Sequence, residues 1–401
     1  METVSQKLDE VLHALAYEKI EGDAPQAGSD PLLARLTSLG SEVWVDTGEL
    51  EKAQDIWKQE MTALTTNNTL ANQVVQSGIM DEVIEDTIRK IRGEGLELSE
   101  EELILEVGFV INCKIALRLV QAFKVKVSVE LHPAISRDID RTLHYGRRYF
   151  KVCPEFFIVK VPLTPEGYLA VRKLTQEKIP INFTLGFSAR QNYLAARLSN
   201  PDFVNVFLGR LNQVVIDHKA GSGDQVGEKV TLATQNSLID AREKYKEVES
   251  RLIGASVRSG EQVAFLAGLD VLTIPPKAIK EFQESGKSTD QVASHLNEDI
   301  VPGIDAGHSL AKRFPCLWEM PGEFIAFVDA LMKEDGLDNM QGKELVEFCR
   351  KHDMNLFHDF SAGLDNWSES IALDDLMTQS ALQSFTKDQN ALDDRIRSFL
   401  K

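Results

Sequence analysis

Short runs of apolar and β-branched residues recur through the middle of the chain, each followed by a stretch in which apolar residues return at helical spacing. Eight runs stand out: Glu42 to Asp46, Ala63 to Asn67, Val125 to Glu130, Phe156 to Val161, Ile181 to Phe187, Phe203 to Leu208, Leu252 to Ser256 and Val271 to Ile274. Strand then helix, repeated, predicts βα units and a parallel sheet. Eight such units predict closure into a barrel, since a doubly wound sheet usually stops at about five or six strands. The expected fold is α/β, a (β/α)8 TIM barrel with extra helices at its N- and C-terminal ends.

The same patterning divides the chain into a helical extension over 1–40, a catalytic barrel over 41–288 and a helical region over 289–401 packed on the barrel. Leu8, Val11, Leu12 and Leu15 predict one amphipathic helix, followed by a loop from Gly22 to Pro31. Between the second and third strands, Ser99 and Glu102 form a capping-box pattern ahead of Leu103, Ile104 and Val107, which predicts a long, largely buried helix. Gly221, Gly223 and Gly227 punctuate Lys219 to Lys229, but Glu228 breaks the phosphate-loop spacing, so a flexible connection is expected there. Beyond Pro275 the pattern is helical, interrupted at Pro302, Pro315 and Pro321.

In a barrel strand the outward positions are covered by helices and must be apolar, so polar residues share the inward parity. Ser128 and Glu130 stand opposite Val127 and Val129, Asn182 and Thr184 opposite Ile181 and Phe183, and Asp46 opposite Val43 and Val45. Lys160 shares its parity with Phe156 and Ile158 and therefore projects into the barrel mouth. A lone lysine at a strand end more often snorkels to water. Here Asp46, Asn67, Glu130, Asn182 and Thr184 also fall at strand C-terminal ends, the edge at which barrel enzymes keep their chemistry.

Composition narrows the chemistry. With 43% apolar and 26% charged residues in 401, the chain has ample material for a core. Its 62 acidic and 44 basic residues give a formal charge of −18, which disfavours nucleic acid and anionic membranes as partners but not a small anion held by focused arginines. Cys113, Cys153, Cys316 and Cys349 are widely spaced, and neither an apolar leader nor a membrane-length apolar run is visible, so a reducing, cytoplasmic setting is expected. His308, His352 and His358 lack metal-ligand spacing, and no metal or cofactor is called for. Oligomeric state is left open.

An inward lysine among apolar walls loses hydration of its charged form, which favours the neutral amine. A neutral amine attacks a ketone to give a Schiff base, an electron sink for breaking or making the adjacent carbon–carbon bond, while nearby carboxylates move the protons. Arg210 and Arg258 follow strand ends. Arg258 with Ser256, after the seventh strand, stands where barrels often bind phosphate; Arg210, after the sixth, is less favourably placed. On geometry alone each arginine is as readily a surface ion pair.

The segment Ile158-Val159-Lys160-Val161-Pro162-Leu163-Thr164-Pro165-Glu166-Gly167 is similar to the signature of the transaldolases, class I aldolases that transfer a dihydroxyacetone unit between sugar phosphates, and the resemblance runs from about Val43 to Pro276. It implies a Schiff base on Lys160, Asp46 as acid/base on the C4 hydroxyl, and Glu130 acting through a water held with Thr184. Asn67 and Asn182 would hold the dihydroxyacetone hydroxyls, and Arg210, Ser256 and Arg258 the phosphate. Phe207 stands where related fructose-6-phosphate aldolases tend to have tyrosine, which leans toward transfer. Two positions depart from the family pattern. Asn68 replaces the proline expected after Asn67, loosening the backbone that aims Asn67, and Asn205 replaces a small hydroxyl residue, narrowing or re-polarising the pocket. The implied function is transaldolase activity in the pentose phosphate pathway, from sedoheptulose 7-phosphate or fructose 6-phosphate to an aldose phosphate. The alternatives are a transaldolase-like binder of sugar phosphates without transferase activity, or an aldolase that releases free dihydroxyacetone.

Overall fold

The computed structural model describes residues 2–358 and 371–400 of the chain. Eight parallel strands close in sequence order into a barrel. They are β1 (Glu42–Asp46), β2 (Met61–Thr65), β3 (Lys126–Glu130), β4 (Phe157–Pro162), β5 (Ile181–Thr184), β6 (Phe203–Phe207), β7 (Arg251–Ala255) and β8 (Val271–Ile274).

Helices α1 (Glu2–Ala16) and α2 (Pro31–Ser38) precede β1, and α3 (Leu50–Ile56) follows it. Between β2 and β3 stand α4 (Asn68–Gln76), α5 (Asp81–Gly93) and α6 (Glu100–Phe123). The crossovers from β3 to β8 are α7 (Ile139–Val152), α8 (Pro165–Gln176), α9 (Ala189–Leu198), the pair α10 (Leu208–Asp217) and α11 (Val226–Lys244), then α12 (Gly260–Phe265). After β8 come α13 (Pro276–Gln283), α14 (Gly322–Leu331), α15 (Gly342–Lys351) and α16 (Leu373–Ser398). Among the described residues no helix is long and apolar enough to cross a membrane.

The expected barrel with its terminal helices is therefore present, with four local differences. β2 begins and ends two residues earlier than its apolar run suggests, because Asn67 leaves the strand to cap α4, its Oδ1 accepting from Leu70 N at 2.9 Å. β5 stops at Thr184 because Leu185 turns left-handed, at φ 70°. A second helix, α2, follows the expected loop, where only one helix was expected before β1; Pro31 at its first position and Asp30 as its cap start it. The segment around Gly221 and Gly223 is held by Gly223 N→Gly303 O (3.0 Å), Gly303 N→Asp224 O (2.7 Å) and Asp305 N→Ala220 O (2.7 Å), and α11 begins within it. Gly221 has φ 148°, and a Cβ there would stand 2.2 Å from Gly303 O.

The capping box of Ser99 and Glu102 starts α6, which is buried along most of its length. Apolar outward residues such as Val127, Val159, Phe183 and Val204 pack beneath the helices. Inside, Trp44 and Phe203 meet edge to face at 4.7 Å, filling part of the interior away from the strand C-termini. Polar inward residues lie above this pair, toward the C-terminal mouth, and below it, where Arg251 pairs with Glu42. α16 packs along α4 and α6 and also meets the 3-10 turn Pro133–Ile135 that follows β3.

Candidate active site

Lys160 occupies the inward face of β4, in register with Glu130 of β3 and Asn182 of β5. Parallel pairing thus sets a cation between an anion and an amide. Lys160 Nζ lies 3.0 Å from Glu130 Oε2 and donates to Thr66 O at 3.0 Å. Both side chains are almost fully enclosed, at 4% and 2% exposure. Removing two charges from water in this way costs free energy that their mutual attraction does little more than offset, so the pair is not there for stability. Among the described residues Glu130 has the ammonium beside it and no hydrogen-bond donor besides, and the equally buried Thr184 Oγ1 has no partner.

Asp46, at the end of β1, accepts from Thr65 Oγ1 at 2.7 Å, and Thr273 Oγ1 lies 2.6 Å from the same hydroxyl. With the Thr65 proton directed to Asp46, Thr273 donates to Thr65. Burial in the mouth pushes the Asp46 carboxyl above its ordinary range, against the pull of Lys160, the Thr65 hydrogen bond and Arg258. Glu130 is raised as well, by burial first and by the charge of Asp46, with Lys160 opposing. Two carboxyls held toward neutrality beside one lysine nitrogen can give and take protons around a carbonyl bound there.

A cavity of about 170 Å³ opens at this end of the barrel, lined by Asp46, Asn67, Lys160, Asn182, Phe207, Arg210, Ser256 and Arg258 among others. Eight of the ten residues singled out from sequence thus face one space; Glu130 and Thr184 lie outside its lining. Arg210, less favoured by strand number than Arg258, is brought in fully because α10 begins at Leu208, directly after β6, and carries it in the first turn. Burial and the neighbouring Arg258 push the Arg210 guanidinium below its usual value, opposed by Asp388 and Glu130. Among the described residues neither arginine has a carboxylate within ion-pair distance, so both line the cavity without the surface ion pairs weighed from sequence.

The support around these groups is specific. Ser256 adopts a left-handed φ of 62°, and its carbonyl approaches Gly209 so closely that a Cβ there would stand 2.3 Å away. Arg258 N donates to Gln262 Oε1 at 2.7 Å, and Gln262 in turn donates to the buried Glu228 at 2.8 Å. Asn205 does not present a free amide to the pocket. Its Nδ2 donates to Asn182 Oδ1 at 2.6 Å, and its Oδ1 accepts from the left-handed Leu185 at 3.0 Å. Asn182 is further fixed by donation to Ser128 Oγ at 3.0 Å.

Asn68 does not leave Asn67 loose. It is the first residue of α4, a position suited to proline, and its buried amide donates to Gln389 Oε1 of α16 at 2.9 Å, while Thr69 beside it donates to Asp388. α16 also inserts Phe385 into the cavity wall. Thr65 and Thr273 obey the inward-parity rule and were legible from it. Phe385 and Gln389 carried no such signal, because they lie in a helix some two hundred residues from the lysine.

A larger depression of about 520 Å³ lies at the opposite end of the barrel. Its arginines are already paired: Arg172 with Asp338, Arg197 with Asp329 and Arg251 with Glu42. Compared with protein-family models, residues 43–312, about two thirds of the chain, match the family described as transaldolase/fructose-6-phosphate aldolase.

Proposed function

This chain belongs to the transaldolase/fructose-6-phosphate aldolase family, and from that premise we propose that this aldolase/transaldolase-type enzyme is a transaldolase, moving a dihydroxyacetone unit from a ketose phosphate to an aldose phosphate. The observation that carries the reading is the enclosed Lys160 Nζ, 3.0 Å from Glu130, on a cavity that also holds Asp46 and two arginines with no ion pair among the described residues.

In the proposed sequence Lys160, as the free amine, attacks C2 of fructose 6-phosphate or sedoheptulose 7-phosphate. Glu130, through a water held with Thr184, carries protons to and from the carbinolamine, whose hydroxyl leaves as water to give the protonated Schiff base. Asp46 takes the C4 hydroxyl proton, the C3–C4 bond breaks, and its electron pair flows to the iminium nitrogen. The aldose phosphate departs and a three-carbon enamine remains on Lys160. That enamine adds to the carbonyl of an acceptor such as erythrose 4-phosphate, Asp46 returns the proton to the new hydroxyl, and hydrolysis releases the product ketose. Asn67 and Asn182 hold the hydroxyls of the retained unit; Arg210, Ser256 and Arg258 hold the phosphate. The reaction belongs to the pentose phosphate pathway, and the small-molecule partners are sugar phosphates.

The test is a coupled assay of aldose phosphate release from fructose 6-phosphate with and without erythrose 4-phosphate. Turnover that depends on the acceptor and forms sedoheptulose 7-phosphate is expected. Equal turnover without acceptor, with free dihydroxyacetone accumulating, would make the protein an aldolase instead. Saturable binding with no product would reduce it to a sugar-phosphate binder.

A further inference from the structure

A guanidinium that must bind a phosphate has to be held still without losing its charge or its donors. A carboxylate partner would fix Arg210 but occupy its N–H groups and cancel its field. The structure uses another device. The Arg210 guanidinium carbon lies 5.5 Å from the ring centroid of Phe385, and Arg210 Nη2 is 3.5 Å from Ser384 Oγ. An aromatic face attracts a cation through its quadrupole and leaves the in-plane N–H donors unused.

Phe385 is buried at 3% exposure, and its ring meets that of Phe207 edge to face at 6.4 Å. Its helix is anchored along its length. At the start Asp374 takes two hydrogen bonds from Arg190, at 2.7 and 2.8 Å; further along, Gln389 accepts from Asn68 and Asp393 lies 3.2 Å from His132 Nε2. The helix that carries the ring is therefore tied to α9, to α4 and to the segment after β3.

We propose that Phe385 is a positioning residue for the anion subsite, seating Arg210 so that its free donors meet the phosphate of the sugar; the C-terminal helix is thereby part of the substrate-binding apparatus. The inference rests on reading the cavity as a sugar-phosphate site. It concerns binding of the phosphate end and not the covalent step, so its effect falls on KM.

The test compares wild type with Phe385→Leu and Phe385→Met, which keep apolar volume but lose the ring, and with Phe385→Tyr, which keeps it. Steady-state rates with fructose 6-phosphate and erythrose 4-phosphate are measured beside calorimetric binding of inorganic phosphate. Loss of a partly desolvated cation–π contact predicts KM and the phosphate Kd both raised about 3- to 30-fold in Leu and Met, kcat within about twofold, and wild-type values in Tyr. Unchanged phosphate binding in Leu and Met, or a fall confined to kcat, would overturn the inference. The two failures separate cleanly. A wild type that turns over no sugar phosphate defeats the functional reading, whereas a wild type that turns over normally while Leu, Met and Tyr all match it defeats this inference alone.

Discussion

Replacing Lys160 by methionine should expose how much of the barrel mouth is arranged for chemistry at the expense of stability. At 3.0 Å, with an effective dielectric of about 20, the Lys160–Glu130 attraction is about 5 kcal/mol. Burying each ion opposes folding by several kcal/mol, so the intact pair contributes little net stability. Lys160→Met removes the attraction and leaves the Glu130 carboxylate enclosed, at a loss of about 3 to 5 kcal/mol near pH 8. The penalty applies to the ionised form only. Glu130 already sits above its ordinary range through burial, and without the lysine it rises further. A raised carboxyl contributes stability that is present at low pH and lost as pH rises through the folded value. The variant should therefore recover most of its loss near pH 5. Lys160→Met combined with Glu130→Leu, with no charge left to enclose, should equal or exceed wild type by about 1 to 4 kcal/mol while having no activity. Urea midpoints at pH 5 and pH 8 decide the matter. A single variant as stable as wild type at pH 8, or one with no pH dependence beyond that of wild type, would show that Glu130 is not an enclosed carboxylate held by the lysine.

Asp46→Asn should lower kcat by about 10²- to 10⁴-fold while still allowing the Schiff base, so borohydride should trap the whole six-carbon sugar phosphate in place of the three-carbon unit. Gln389→Ala leaves the buried Asn68 amide unpaired, a loss of about 1 to 3 kcal/mol, and should raise KM for the ketose donor by loosening Asn67. Asn68→Pro in the Gln389→Ala background should restore that KM, because position 68 is the first of its helix and Asn67 before it, at φ −156° and ψ 174°, is already extended as a residue preceding proline requires. Asp375, raised by burial and the adjacent Asp374 to about 7, gives stability below pH 4 that is lost as pH climbs through 7; thermal melts from pH 5 to pH 8 should show the upper part of this decline, about 3 kcal/mol, in wild type and not in Asp375→Asn.

Much of this architecture is written in short-range pattern. Strand and helix periods alternate along the barrel, and inward parity alone marks Asp46, Glu130, Lys160, Asn182 and Thr184. What pattern does not carry is contact between distant segments. Periodicity extends β2 through Asn67, because an apolar and β-branched run continues past the point at which a cap intervenes. It likewise extends β5 to Phe187, where Leu185 turns back under the hold of Asn205. The two family departures, Asn68 and Asn205, look like weaknesses in isolation. Each has a partner that lies far off in sequence or on the next strand: Gln389 for the first, Asn182 for the second. The helical tail reads as packing material from its own pattern, yet it supplies Phe385 to the cavity and the clamp on α4.

The central claim is that the nitrogen of Lys160 becomes covalently bound to the ketose. Incubation with fructose 6-phosphate and sodium borohydride, followed by peptide mass spectrometry, tests it directly. A reduced three-carbon adduct is expected on Lys160 and on no other lysine, with loss of activity in proportion to labelling. Complete inactivation with Lys160 unmodified, or full activity retained by Lys160→Met, would contradict it.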